Sequence, residues 1–195
     1  MGSSAAVEGP LPHLVYYVAS SLDGYIADAD GGVGWLPQPE GDEDFGYGEF
    51  YAGVDALLMG RRTYDQVRGF GDWPYAGKPV RVWTRRELHD APAMVRATAG
   101  APADVVRELY AEGFGRVWLV GGAELAEALR REGLVDEWIV TVVGRTLGDG
   151  VPLFGGPEDG LQVVQVDGIG RAAVQLRLVR RARPQEPGGA APSPA

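Results

Sequence analysis

Apolar residues recur along the chain in short runs that favour β-strands. Runs of apolar, β-branched or aromatic residues predict strands at residues 14–19, 56–59, 80–84, 94–98, 116–120, 137–143, 161–166 and 173–180. Several of these runs are apolar throughout, which is typical of strands that are covered on both faces. Between them, helical spacing of apolar residues predicts helices near residues 42–53, 63–68, 102–112 and 123–132.

The order of these elements predicts the fold class. Strands alternate with helices along most of the chain, which indicates an α/β domain with a mostly parallel central sheet and helices on both faces. The last two strands are separated by the turn sequence "DGIG" and are expected to form an antiparallel hairpin, so the sheet should be mixed. Residues 1–12 and 182–195 offer little to bury and are expected to be disordered, which leaves one domain at 13–181.

Composition and charge narrow the functional classes. A net charge of −9 argues against a surface for nucleic acid or an anionic membrane, because both need clustered positive charge. No stretch resembles a signal peptide or approaches the roughly 20 apolar residues of a membrane span. The lack of cysteine excludes disulfides and thiolate zinc sites and is compatible with a reducing, cytoplasmic location. With only His13 at a strand start and His89 in a loop, we expect neither a histidine metal site nor a catalytic triad.

Glycines stand at two junctions between a predicted strand and a predicted helix. "LVGGAEL" places Gly121 and Gly122 at one junction, and "LMGRRTY" places Gly60 at the other, with Thr63 as the expected helix N-cap. Glycine lets a ligand approach the backbone, and the N-terminus of a helix favours phosphate. Tight strand-to-helix packing would by itself explain either junction alone.

Two arginine pairs follow predicted strands. Arg61 and Arg62 follow one strand, and Thr84, Arg85 and Arg86 follow another in "VWTRRE". Either pair alone would be an ordinary solvated surface feature. In an acidic chain, however, their shared position at strand ends predicts a local anion site, since ligands of open α/β sheets bind at the carboxyl ends of strands.

A long loop rich in Gly and Asp follows the first predicted strand. The sequence "YVASSLDGYIADADGGVGWL" places Tyr25, Ile26 and Trp35 in this loop. Loops of this length are often lids or ligand-contacting segments. The alternative is an ordinary surface loop with Trp35 in the core.

Taken in order, these motifs resemble the dihydrofolate reductase superfamily. The resemblance rests on "YVASSLDGYIA", "MGRRTY", "WTRR", "VGGAEL" and "VTVV" followed by "LGDGVPLF", and covers about residues 13–180. The chain is most similar to small stand-alone bacterial proteins related to the reductase domain of bifunctional riboflavin-biosynthesis enzymes, the RibD C-terminal domain family. The resemblance implies a dihydrofolate reductase-like three-layer sandwich that binds NADPH and forms a homodimer.

The resemblance also implies roles for individual residues. Ala19 and Ile26 would contact the nicotinamide, and Thr141 would help to position the substrate ring. The adenosine 2′-phosphate would be recognised by Thr84, Arg85 and Arg86, which favours NADPH over NADH. The remaining phosphate contacts would come from Gly60, Arg61, Arg62, Thr63, Gly121, Gly122, Ala123 and Glu124.

The implied reaction is hydride transfer from NADPH to a C=N or C=O bond of a small heterocycle. The substrate would be a pterin-like ring or a ribosylated pyrimidine, as in 5-amino-6-(5-phosphoribosylamino)uracil reductase. A carboxyl group near the ring would assist protonation, and Asp44 stands nearest the expected place, with Glu43 and Glu49 as alternatives. All three could instead be solvated acids at a helix N-terminus. Dihydrofolate reductase-type activity and a non-catalytic, NADPH-binding sensor or assembly protein are the competing functions.

Overall fold

The computed structural model describes residues 11–37 and 44–180, which form an α/β domain. Its strands are β1 (His13–Ser21), β2 (Tyr25–Ala27), β3 (Ala56–Gly60), β4 (Val80–Trp83), β5 (Val95–Thr98), β6 (Arg116–Gly121), β7 (Glu137–Val143), β8 (Val151–Pro152), β9 (Leu161–Ile169) and β10 (Ala173–Arg180). Its helices are α1 (Tyr47–Ala52), α2 (Arg61–Arg68), α3 (Pro102–Ala111) and α4 (Ala123–Arg131). Residues 1–10 and 181–195, which include most of the termini expected to be disordered, lie outside the described residues.

The central sheet has eight strands in the order β5-β4-β3-β6-β1-β7-β10-β9. The six strands from β5 to β7 are mutually parallel, and β10 is antiparallel to both β7 and β9. The predicted mixed, mostly parallel sheet with a C-terminal antiparallel hairpin is therefore confirmed. A separate two-stranded sheet, which the sequence did not predict, pairs β2 with β8.

Helices cover both faces of the sheet. On one face, α3 and α4 contribute Leu109 and Leu129 to a buried cluster that includes Tyr16 of β1. On the other face, α1 and α2 contribute Phe50 and Tyr64 to a second cluster. Full burial of each large apolar side chain contributes about 1.5–3 kcal/mol relative to exposure. The three-layer architecture follows from these two apolar faces.

Two helices begin at positions that differ from the sequence prediction. Within the described chain, α1 begins at Tyr47, because Phe45 and Gly46 have φ angles of 56° and 76°, in the left-handed region. Residues 42 and 43 of the predicted helix lie outside the described residues. The prediction of Thr63 as N-cap of the next helix is wrong, because α2 begins at Arg61, with Gly60 in the N-cap position.

The loop after β1 is held against the domain by hydrogen bonds and by strand pairing. The Asp23 carboxylate accepts hydrogen bonds from the backbone N–H groups of Leu147 and Gly148, and the loop forms β2 against β8. Trp35 is 8% exposed and belongs to the core. The loop thus packs on the domain with Trp35 in the core, as the alternative expects, while Leu36 at its end lines the cavity described below.

The C-terminal hairpin turns later than "DGIG" predicts. Strand β9 continues to Ile169, because Gly168 and Ile169 pair with Val174 and Ala173 of β10. The chain reverses between Ile169 and Ala173, with Gly170 at φ 52°.

Near the other end of the described chain, Leu11 packs against the core.

None of the helices in the described ranges is long and apolar enough to cross a membrane.

Candidate functional site

Parallel strands bring most of the predicted cofactor residues, but not Ile26, to the carboxyl-terminal edge of the central sheet. Strands β4, β3, β6 and β1 are consecutive neighbours and run in the same direction, so their carboxyl ends share this edge. Thr84 follows β4, Gly60 and Gly121 end β3 and β6, and Ala19 lies near the end of β1. The sequence analysis identified these segments but could not predict that strands β4, β3, β6 and β1 are neighbours in the sheet.

The two glycine junctions lie against each other. A Cβ atom placed on Gly60 would lie 3.6 Å from the backbone nitrogen of Gly122, and one on Gly122 would lie 3.2 Å from Oγ1 of Thr63. Gly121 has a φ of 131°, and the Gly121–Gly122 peptide bond is cis. The positive φ of Gly121 favours glycine there, and a Cβ on Gly122 would be tight against Thr63, whereas a Cβ on Gly60 would make only ordinary van der Waals contact. We call this group of Gly60, Thr63, Gly121 and Gly122 the glycine cradle.

The glycine cradle presents two helix N-termini. Gly60 and Gly122 are the N-cap residues of α2 and α4, and neither makes a side-chain capping hydrogen bond within the described chain. The first N–H groups of a helix have no partner inside the helix, and the helix dipole places partial positive charge there. The cradle is therefore suited to an anion such as a phosphate group. Ala123 begins α4, and the exposed Glu124 lies in its first turn.

The arginines near this edge differ in their contacts. Nε of Arg61 donates to both carboxylate oxygens of Asp65, at 2.8 and 2.9 Å, and one of its terminal nitrogens donates to the backbone oxygen of Glu87. Arg62, Arg85 and Arg86 are exposed and form no ion pair with a described residue. These three arginines are thus better placed than Arg61 to receive a phosphate.

The side chain of Thr84 organises the turn that carries two of these arginines. Its Oγ1 accepts a hydrogen bond of 3.0 Å from the backbone N–H of Arg86. Its backbone N–H donates to the oxygen of Thr98 at the end of the neighbouring strand β5. Thr84 therefore fixes the direction in which the chain leaves β4.

A cavity of about 390 Å³ lies on the α1 side of the sheet, next to the end of β1. Its lining residues are Tyr17, Ala19, Leu36, Pro37, Asp44, Phe45, Tyr47, Thr141, Val143 and Ala173. Ala19 of β1 and Thr141 of β7 are direct partners in the sheet register. Strand β1 also pairs with β6, which ends at Gly121 of the glycine cradle, so the cavity wall and this part of the cradle belong to neighbouring strands. The mostly apolar and aromatic wall is typical of a pocket for a flat organic ligand.

Asp44 is the carboxylate of this wall. Its two oxygens accept hydrogen bonds from the backbone N–H groups of Gly48, at 2.8 Å, and Gly46, at 2.9 Å. These two bonds lower the pKa of Asp44 below its ordinary value, because they favour the charged form. Asp44 is also exposed, and its hydrogen bonds lie at the start of α1, as the alternative of a solvated acid at a helix N-terminus predicts. At neutral pH it is ionised and is a hydrogen-bond acceptor, not a proton donor.

The other acids considered from the sequence are placed differently. Glu49 lies in the first turn of α1 and is exposed, outside the cavity wall. Glu43 lies outside the described residues. Ile26, the predicted nicotinamide contact, lies half-buried on β2 and is not part of the cavity wall. The wall thus includes Asp44, Thr141 and Ala19 of the predicted residues.

Sequence reasoning missed a hydrogen-bonded group that joins the wall residues Tyr17 and Thr141 to Gln175. Nε2 of Gln175 donates to Oγ1 of Thr141 at 3.1 Å and lies 3.5 Å from the hydroxyl of Tyr17. The Tyr17 hydroxyl donates to the backbone oxygen of Phe45. A hydroxyl that accepts a hydrogen bond from an amide can still donate its own proton, so this group leaves the Thr141 hydroxyl able to donate to a ligand. Alternation along β1, which puts Tyr17 on the face of Ala19, was the available signal for Tyr17.

Comparison with known proteins defines the family. A family model described as RibD C-terminal domain matches residues 12–175. The chain is 39% identical over 142 residues to the uncharacterized protein YwjB of Bacillus subtilis (strain 168), covering 72% of this chain and 81% of YwjB. It is also similar to a protein from Shewanella sp. PV-4 named for a proposed role in riboflavin biosynthesis. That structure has a TM-score of 0.79 and 34% identity, over 87% of this chain and 99% of the other.

More distant structures share the fold. The diaminohydroxyphosphoribosylaminopyrimidine deaminase/5-amino-6-(5-phosphoribosylamino)uracil reductase of Thermotoga maritima has a TM-score of 0.70 and 18% identity, over 88% of this chain and 57% of the other. Dihydrofolate reductase from Enterococcus faecalis, complexed with NADP(H), has a TM-score of 0.63 and 17% identity, over 87% of this chain and 97% of the other. The fold is therefore dihydrofolate reductase-like, and the chain belongs to the RibD C-terminal domain family.

Proposed function

We propose that this protein is an NADPH-dependent reductase that acts on a C=N or C=O bond of a small heterocycle. The observation that carries the proposal is the position of the cavity beside the glycine cradle, with Ala19 in the cavity wall and on a strand that pairs with both β6 and β7. An anion site next to an aromatic-walled cavity suits a dinucleotide whose phosphates and reactive ring occupy different parts of one cleft.

The residues present fit NADPH. Gly60 and Gly122 are the N-cap residues of α2 and α4, and the first N–H groups of these helices would bind the pyrophosphate. The exposed guanidinium groups of Arg85 and Arg86 follow the next strand and would bind the 2′-phosphate through charge-assisted hydrogen bonds. When bound, NADPH supplies the hydride for the reduction.

The chain's own residues would bind and orient the substrate. Tyr17 and Tyr47 offer aromatic surfaces for a flat ring, and the ionised Asp44 would accept a hydrogen bond from a ring N–H. A carboxylate at this position also stabilises a protonated C=N group, which is more electrophilic than the neutral form. Thr141 would donate to an acceptor on the same ring. Because the pKa of Asp44 is lowered, the proton itself would come from water.

The comparisons support a heterocyclic substrate. The relatives with this fold include proteins named as a phosphoribosylaminouracil reductase and as a dihydrofolate reductase, whose substrates are pyrimidine-like and pterin-like rings. The reducible C=N bond lies within the ring of a pterin and in the opened sugar attached to the ring of a ribosylated aminopyrimidine. The proposal therefore includes a pterin-like ring and a ribosylated pyrimidine as substrate candidates.

The proposal is tested by two measurements on the purified protein. NADPH binding is measured by calorimetry, and NADPH oxidation is followed by absorbance with dihydropterin, dihydrofolate, 5-amino-6-(5-phosphoribosylamino)uracil and small imines and ketones. We expect binding of NADPH and turnover with at least one heterocycle. Binding without turnover would favour a non-catalytic sensor or assembly protein, and turnover confined to dihydrofolate would favour folate reductase activity. A protein that does not bind NADPH would contradict all three functions.

A further inference from the structure

Helix α1 carries part of the cavity wall but is too short to be stable by itself. Asp44 and Phe45 precede the helix and Tyr47 begins it, and all three residues line the cavity. The six residues of α1, "YGEFYA", include no Lys or Arg. A helix of this length is marginal in water, and its last carbonyl groups have no partner inside the helix. The shape of this wall therefore depends on contacts that hold α1 from outside.

Lys78 supplies such a contact at the end of α1. It lies just before β4, and its Nζ donates to the backbone oxygen of Val54 at 2.5 Å and lies 3.5 Å from that of Ala52. These oxygens stand at the C-terminal end of the helix, where the helix dipole favours a positive charge. Helix α1 thus receives from another segment the cation that its own sequence lacks.

The same segment also holds the side chain of Tyr51 in α1. Nζ of Lys78 lies 5.4 Å from the centre of the Tyr51 ring, within the range of a cation–π interaction. The Tyr51 hydroxyl donates to the backbone oxygen of Ala76 at 3.4 Å. The Tyr51 ring stacks in turn on the wall residue Tyr47, with ring centroids 5.5 Å apart and an interplanar angle of 20°. Contacts therefore run without a break from Lys78 through Tyr51 to the cavity wall.

We propose that Lys78 is a positioning residue for the cavity, which it shapes by holding the end of α1 and the ring of Tyr51. Lys78 is not among the residues that line the cavity, so it acts on a ligand through α1 and Tyr47. The inference rests on the proposed function for the kind of ligand that the cavity binds. Loss of the ammonium group should loosen this wall and leave the glycine cradle in place, because the cradle belongs to other elements.

Hydrogen exchange followed by mass spectrometry tests the hold on α1. Lys78→Met removes the ammonium group, and we expect it to speed exchange about tenfold in peptides that cover residues 47–54. Lys78→Arg keeps the charge and the donors and should stay close to the wild-type rate. Arg96→Met, which removes an exposed positive charge from β5, is the matched control. Unchanged exchange in Lys78→Met, or an equal rise in α3 on the opposite face of the sheet, would overturn the inference.

Ligand binding tests the consequence for the cavity. Dissociation constants of dihydropterin and of NADPH are measured by calorimetry for the same variants. Lys78→Met should weaken dihydropterin binding by roughly fivefold and leave NADPH binding unchanged, and Lys78→Arg should restore the affinity for dihydropterin. Unchanged dihydropterin binding in Lys78→Met, or equal weakening of both ligands, would overturn the role of Lys78 in the cavity. A wild-type protein that binds neither ligand would contradict the proposed function, and the exchange of α1 would then decide alone whether Lys78 holds the wall.

Discussion

Gln175 donates a hydrogen bond of 3.1 Å to Oγ1 of Thr141, across the antiparallel pair β10 and β7. The two residues are direct partners in the register, and Thr141 lines the cavity whereas Gln175 is not among the lining residues. If the cavity binds the substrate as proposed, Gln175 is a positioning residue, which would act on a ligand through the orientation of the Thr141 hydroxyl.

We expect Gln175→Ala to raise the KM of the heterocyclic substrate by roughly fivefold, which corresponds to the loss of about 1 kcal/mol from one hydrogen bond. The KM for NADPH should stay unchanged, because the cofactor residues lie on other strands. Steady-state kinetics with each substrate varied in turn provides the measurement. Gln162→Ala, at an exposed position of β9, is the matched control. A parallel rise in both KM values would show a general structural role for Gln175 instead.

Arg85→Ala should weaken NADPH binding much more than NADH binding. The arginine is exposed, follows β4 and would contact the 2′-phosphate that NADH lacks, so the loss should be about 1.5–3 kcal/mol, or roughly 10- to 150-fold, for NADPH alone. Calorimetric titration with both dinucleotides measures the difference. The control is Arg68→Ala, which removes an exposed arginine from the last turn of α2. Equal weakening of NADH and NADPH would disprove recognition of the 2′-phosphate by Arg85.

Gly150→Ala should destabilise the protein strongly. Gly150 has a φ of 151°, and an added Cβ would lie 2.2 Å from the backbone oxygen of Ala27 on β2. We expect a loss of more than about 2 kcal/mol in the free energy of unfolding, because the backbone of the β2–β8 pair must shift. Gly148→Ala is the control, since its φ is also positive, at 78°, but nothing lies within 4 Å of the added atom. It should cost about 1 kcal/mol. Urea unfolding compares the variants, and similar losses at both positions would rule out the collision.

The pair of His13 and Glu137 should make stability depend on pH. Burial raises the pKa of the Glu137 carboxyl, but hydrogen bonds from His13 and Arg177 and nearby arginine charges outweigh it and lower the pKa to about 2. The hydrogen bond to Glu137 raises the pKa of His13 above its ordinary value of 6.5. The carboxyl therefore stabilises the fold above about pH 4.5, and this stabilisation is lost as the pH falls towards 2. The histidine contributes fully below pH 6.5, and its contribution is lost as the pH rises through its raised pKa.

Unfolding in urea at pH values from about 3 to 9 measures both limbs of this dependence. The stability difference between the protein and His13→Gln should be largest below pH 6.5 and should decline at higher pH. Glu137→Gln should flatten the loss of stability at acid pH. His89→Gln, in an exposed loop, is the matched control and should leave the pH profile unchanged. A constant difference for His13→Gln across the whole range would contradict the proposed coupling.

Four exposed valines on the C-terminal hairpin favour the homodimer implied by the family resemblance. Val163, Val164 and Val166 of β9 are 47–60% exposed and Val174 of β10 is 38% exposed, and β9 is the edge strand of the sheet. An apolar patch at an open sheet edge is suited to a second copy of the same chain. We expect Val166→Lys to yield monomers in sedimentation velocity experiments, whereas Met94→Lys, which alters an exposed residue just before β5, should not. A wild-type protein that sediments as a monomer at high concentration would contradict the homodimer.

The strand-to-helix junctions that we propose for the cofactor could be identified from the sequence. Gly60, Gly121 and Gly122 stand out because each ends a buried strand, and the local pattern of strand, glycine and helix is visible within a few residues. The sequence could not predict that β3 and β6 are neighbours in the sheet, because strand order depends on packing between distant segments. The start of α1 was also misplaced, since the apolar pattern gives no sign of the left-handed conformation at Phe45.

The residues around the cavity were much harder to predict from the sequence. Tyr17, Asp44 and Gln175 come from three distant parts of the chain and meet only through the sheet register and the packing of α1. Thr141 could be named only through the family resemblance, and its partner Gln175 follows 34 residues later. The residues on either side of Gln175 in the sequence do not indicate that its side chain forms a hydrogen bond with Thr141.

The strand order divides the site between different stretches of the chain. The glycine cradle comes from residues 60–122, whereas the cavity wall comes from β1, the residues around α1, β7 and the first residue of β10. Substitutions in the wall can therefore accumulate without altering the cradle. If the cradle holds the electron donor as proposed, this separation would let the compound that is transformed change while the way of holding the donor is kept.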